Sequence, residues 1–131
     1  MGERGANNEP ANAADITGMA ALTREALAAG ALGISTSRTM LHLAANGEPV
    51  PGTFAAEDEL AGFARVIAEA GHGVLEVAPA GVGGEDPLGA DREIAWMRRV
   101  SRDTGCPIRF ILAQPQCRSA SLARDARSLR R

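Results

Sequence analysis

Ile67-Ala68-Glu69-Ala70-Gly71 runs into Gly73-Val74-Leu75-Glu76-Val77, and this join of a helix-length stretch, a glycine and a short strand-like run decides the fold. The same unit occurs twice more. Glu25-Ala26-Leu27-Ala28-Ala29-Gly30 leads into Ala31-Leu32-Gly33-Ile34-Ser35-Thr36, and Val100-Ser101-Arg102-Asp103-Thr104-Gly105 leads into Pro107-Ile108-Arg109-Phe110-Ile111-Leu112. Each glycine stands where a helix C-terminus needs a residue able to take positive φ. Repeated helix–Gly–strand units predict parallel strands joined by helical crossovers, the pattern of α/β proteins. In such folds function sits in the loops after the carboxyl ends of the strands.

Outward from these joins, the apolar spacing predicts a first helix from about Asp15 to Ala29, with Ile16, Met19, Ala20, Thr23 and Leu27 on one face. A second runs from about Ala55 to Ala70, with Leu60, Phe63, Ala64 and Ile67 as its stripe. Glu57, Asp58 and Glu59 fall in its first turns, where the helix dipole favours anions. A third covers roughly Asp91 to Thr104. Strands are expected near 31–36, 74–78 and 107–113, and residues 1–13 read as loop around Asn7-Asn8-Glu9-Pro10. The connection after the first strand is long, passing His42, the turn signal Asn46-Gly47, Pro49 and Pro51-Gly52. Loops of that length are commonly functional. Three units are too few for a closed (β/α)8 barrel or a doubly wound sheet, so the chain reads as a segment of a larger α/β protein.

Composition narrows the chemistry. The 131 residues are 45% apolar but only 3% aromatic, and the net charge is −2. All fourteen basic residues are arginine. The lack of lysine excludes a P-loop lysine, a Schiff-base lysine and a carbamylated lysine bridging two metals. Residues 1–113 carry nine Arg against fifteen Asp and Glu, whereas residues 114–131 carry five Arg against Asp125 alone. Cys106 and Cys117 form neither a CxxC pair nor a zinc-ribbon spacing and read as free, inert thiols. With no membrane-length apolar run and no signal-peptide pattern at the start, the sequence points to a soluble, cytoplasmic chain.

Ala29-Gly30-Ala31-Leu32-Gly33-Ile34-Ser35-Thr36-Ser37-Arg38, followed by Pro51-Gly52-Thr53-Phe54-Ala55 and Glu57-Asp58-Glu59-Leu60, resembles the amidohydrolase superfamily, and most closely its N-acyl-D-amino-acid deacylase (D-aminoacylase) branch. In that branch a helix ends in EAGALG-[FIL]-ST and a PGTFA…EL stretch opens the next helix. Met1 to Pro10 also looks like the loop preceding that helix in some relatives. The similarity spans roughly residues 1–113, is most specific over 25–60, and leaves 114–131 as a basic tail, disordered or helical, outside the family pattern. The resemblance implies a partial TIM-like barrel and, in the intact enzyme, one or two divalent metals, usually zinc, that activate water to cleave an amide C–N bond other than a peptide bond. It also implies ligands this chain lacks. The family's His-x-His lies upstream of these residues, and a later histidine and a catalytic aspartate lie downstream. A histidine at the end of the strand corresponding to 74–78 is replaced here, nearest Ala78. No residue of the chain is therefore assigned as catalytic or metal-ligating. No zinc is expected on this chain alone, and the expected partner of the intact enzyme is a small amide substrate. The rival reading is a non-catalytic αβ fragment or interaction module.

Candidate substrate-binding residues are Ser35, Thr36, Ser37 and Arg38 at the end of the first strand, together with Glu76. A guanidinium at Arg38 can clamp a substrate carboxylate bidentately; the alternative is a polar strand end bonded to its own loop. By strand alternation Glu76 shares a face with Val74 and Ala78 and points away from the helices. There it either replaces a metal ligand or forms a buried pair with an arginine such as Arg109. His42 either reaches substrate from the long loop or simply faces solvent, and His72 belongs to the opposite end. Gly81-Val82-Gly83-Gly84-Glu85-Asp86 does not match a dinucleotide fingerprint and reads as a flexible loop. The basic tail has no aromatic interleaving, so neither nucleic acid nor membrane is expected as a partner. Self-association through exposed strand edges is expected.

Overall fold

The computed structural model describes residues 1–82 and 89–112. Seven elements follow in order: α1 (Glu3–Ala6), α2 (Ala13–Ala28), β1 (Gly33–Ser37), α3 (Glu57–Ala70), β2 (Val74–Ala78), α4 (Gly89–Thr104) and β3 (Ile108–Phe110). The three strands form one parallel sheet in the order β1-β2-β3. The protein is thus mixed α/β, with helical crossovers between sequence-adjacent strands.

The helix ends follow the glycines. Gly71 closes α3 in the left-handed conformation with φ 71°. Gly33 is required for a different reason: a Cβ there would lie 1.9 Å from the carbonyl oxygen of Val74, so a side chain would break the β1–β2 pairing. At the start of α2 the Asn12 side chain accepts from the Asp15 amide and the Asp15 side chain accepts from the Asn12 amide, a complete capping box. The first thirteen residues are not wholly loop, because Glu3–Ala6 form a helical turn. Arg4 ties that turn to α2 through Asp15 (3.0 Å) and also bonds Glu9. Residues 113–131, including Cys117 and the basic tail, and the Gly-rich stretch 83–88 lie outside the described residues.

In register, Ile34 pairs with Leu75 and Thr36 with Val77, while Leu75 pairs with Ile108 and Val77 with Phe110. Residues paired in a parallel ladder share a face, so these six side chains lie on one side of the sheet. Leu75 and Val77 are fully buried there with Leu27 of α2, Leu60, Ala64, Val66 and Ile67 of α3, and Trp96, Met97 and Val100 of α4. Among the described residues three helices therefore cover a single face of the sheet. The opposite face carries Ser35, Glu76 and Arg109 side by side in register, with Ser37 paired to Ala78 in the next row, and Ser35, Glu76 and Arg109 are exposed.

Candidate functional site

The uncovered face ends, at the carboxyl ends of β1 and β2, in a cleft of about 360 Å³ lined by Ser35, Thr36, Ser37, His42, Pro51, Glu76, Ala78 and Ile111. Its outer wall is the long loop after β1. The backbone ladder continues past the strand, with the Arg38 amide donating to the Ala78 carbonyl at 2.8 Å. Buried Thr39 then turns the chain: its hydroxyl accepts from the Leu41 amide. Beyond it, Leu43 bridges Pro49 antiparallel, the Val50 amide donates to the His42 carbonyl, and Gly47 takes φ 83° at the Asn46-Gly47 turn. Asn8 fixes this hairpin to the N-terminal segment by donating to the Pro49 carbonyl and accepting from the Gly52 amide, each at 3.0 Å. The outcome is that His42 folds back over its own strand, with Nδ1 2.6 Å from Ser37 Oγ.

Arg38 is engaged within the protein. Its guanidinium lies against Glu93 of α4, with Nε 2.9 Å from both carboxylate oxygens, and Nη1 donates to the Ala55 carbonyl. The guanidinium carbon also sits 5.5 Å from the Trp96 ring centroid. Glu93 is almost fully buried, so this arginine balances a buried carboxylate and joins β1, α4 and the lead-in to α3. This charge-assisted network engages Nε and Nη1 of the guanidinium.

Glu76 is on the face that alternation predicts, directly beside Arg109 in the ladder. The expected buried pair is not formed: Glu76 and Arg109 are both exposed, and among the described residues neither makes an ion pair. With one sheet face uncovered, water solvates both charges and nothing forces them together. Arg109 is thus the exposed guanidinium nearest Glu76 in the ladder.

His72 lies at the other end of the molecule, lining a groove between the last turns of α2 and α3 beside Arg24 and Glu69. Cys106 is fully buried, and burial pushes its thiol above the ordinary range, which suppresses thiolate chemistry. Among the described residues no group of three or more His, Cys, Asp or Glu side chains is arranged to hold a metal ion. His42 and Glu76 do share the cleft, but two donors fall short of the three protein ligands that a catalytic zinc takes.

Sequence reasoning has the strand-end serines, Glu76 and His42 as separate candidates and misses the contact between Ser37 and His42. The pairing spans five residues across an irregular turn, and no periodicity carries that information. Comparison with protein-family models, with curated proteins and with solved structures finds no match for the chain.

Proposed function

We propose that this chain forms part of the substrate-binding wall of a (β/α)8-barrel hydrolase that cleaves an amide C–N bond other than a peptide bond, of the N-acyl-D-amino-acid deacylase type. One observation carries the reading. Three parallel strands in sequence order have all their helices on one face, while polar side chains on the other face lead into a cleft at the strands' carboxyl ends. In a closed barrel the uncovered face is the interior, and ligands sit at the carboxyl ends of the strands. The resemblance over residues 25–60 supplies the substrate class, and the cytoplasm is the compartment proposed with it.

The described residues do not fit the zinc that the resemblance implies, so no step of catalysis is assigned to them through a metal. Their contribution is binding. Ser35 and Ser37 offer hydroxyls to a substrate amide, Glu76 accepts from its N–H, and Arg109 takes the place along the wall that Arg38 leaves vacant for a substrate carboxylate. The lack of a metal-binding group among the described residues is what favours the second reading, a non-catalytic αβ module.

Titration of the ¹⁵N-labelled chain with N-acetyl-D-methionine and its L-enantiomer, followed by NMR, separates the two. Shifts confined to Ser35, Ser37, Glu76 and Arg109, larger for the D-form, support the binding wall. No shift at these residues at millimolar ligand overturns it. Elemental analysis of the purified chain is expected to find less than one tightly held zinc per chain.

A further inference from the structure

The Ser37–His42 contact is the one place in the described residues where a potential nucleophile and a potential base meet in an accessible cleft. Ser37 Oγ and His42 Nδ1 are 2.6 Å apart, within the range of a short hydrogen bond involving a hydroxyl. Both line the cleft above the open sheet face, and His42 is exposed. In the tautomer protonated at Nε2, the serine hydroxyl donates to Nδ1, which is the arrangement a base needs to accept its proton. The backbone holds both ends of the contact. Ser37 is the last residue of a paired strand, and the loop carrying His42 is closed by the Leu43–Pro49 bridge and by Asn8. By contrast Ser35, the other serine on this wall, is exposed on the sheet face, and the imidazole of His42 pairs with Ser37.

We propose that Ser37 and His42 form a nucleophile–base pair that accepts an acyl group from activated esters. The activity goes beyond the binding role proposed above and needs no metal. Ser37 Oγ attacks the ester carbonyl carbon with a lone pair, and its proton passes to His42 Nδ1. The tetrahedral intermediate collapses by breaking the bond from carbonyl carbon to leaving-group oxygen, so the phenolate departs with that electron pair. His42 returns its proton to solvent or to the leaving group. Water then attacks the acyl-serine ester while His42 takes a proton from it, and the products are a carboxylic acid and the restored serine hydroxyl. The sum is aryl ester plus water giving carboxylic acid plus phenol, with no oxidant or reductant required. An activated ester is the right probe because its leaving group departs without an acid to assist it.

The test uses the full chain with any accessible thiol first blocked by iodoacetamide, and p-nitrophenyl acetate as substrate. A burst of about one p-nitrophenolate per chain is expected, with an acetyl group on the peptide containing Ser37 by mass spectrometry, as for a covalent acyl intermediate. Ser37→Ala abolishes the burst and the adduct. His42→Ala slows acylation about 100-fold, the low end for loss of a positioned base, and added imidazole restores part of the rate. A structural role for His42 would not respond to imidazole. His72→Ala, far from the cleft, keeps the wild-type burst. A burst that survives Ser37→Ala, or acylation unaffected by His42→Ala in a variant with wild-type circular dichroism, overturns the proposal.

Discussion

Arg38 shows how a residue at the mouth of a cleft can be committed to the fold. Its guanidinium faces a Glu93 side chain that is only 5% exposed, while Arg38 itself retains 17%. Removing one partner leaves the other charge buried and uncompensated, which costs more than the pair itself contributes. Arg38→Ala is therefore expected to destabilise the protein by about 3 kcal/mol, at the low end for a buried pair because the arginine is partly solvated. Arg38→Ala combined with Glu93→Leu should recover most of that loss. Urea denaturation of the three proteins measures it, and an Arg38→Ala midpoint equal to wild type would show that Glu93 finds water instead.

At the scale of the element, α2 depends on its N-terminal cap. Asp15 is held below the usual carboxylate range, first by the hydrogen bond from the Asn12 amide and then by Arg4. A carboxyl depressed on folding contributes stability above its unfolded value, about pH 3.9, and loses it as pH falls through the folded value. Helix content should therefore fall on acidification below about pH 4, and Asp15→Asn should remove that part of the pH dependence. Carboxyl ¹³C titration showing Asp15 at the free aspartate value would contradict this. Asn12→Ala removes the cap's side-chain acceptor and should cost about 1 kcal/mol.

The elements were largely legible in the sequence because periodicity carries them. The stripe of Leu60, Ala64 and Ile67 is buried, and the alternation of Leu75 and Val77 against Glu76 gave both faces of β2. Boundaries moved where local capping decided them: α3 begins at Glu57, since Ala56 takes an extended conformation as its N-cap. The candidate site was legible only as a set of residues. Arg38 and Glu93 are separated by fifty-five positions, and Ser37 meets His42 through a turn set by Thr39 and Asn8, so neither contact leaves a pattern in the chain. The short helix at Glu3–Ala6 was missed because its first turn carries no apolar stripe and buries nothing.

At the scale of the whole molecule, the three strands among the described residues leave two edges. Leu32 precedes β1 and is 86% exposed, and Leu112 follows β3 at 73%. A strand edge with unpaired backbone groups beside apolar side chains is a template for pairing with another chain. Sedimentation velocity is expected to show concentration-dependent association that Leu32→Lys weakens, and a wild-type chain that stays monomeric at high concentration would remove this inference.

The central claim is that, among the described residues, helices cover one face of the parallel sheet and leave the other open, where Ser35 and Glu76 line the cleft and Arg109 stands beside Glu76. Maleimide labelling kinetics of single cysteines tests it directly, with buried Cys106 as the internal reference. In a Cys117→Ser background at low protein concentration, Glu76→Cys and Arg109→Cys should both react far faster than Cys106. Labelling of either cysteine as slow as that of Cys106 would contradict the open face and the binding wall built on it.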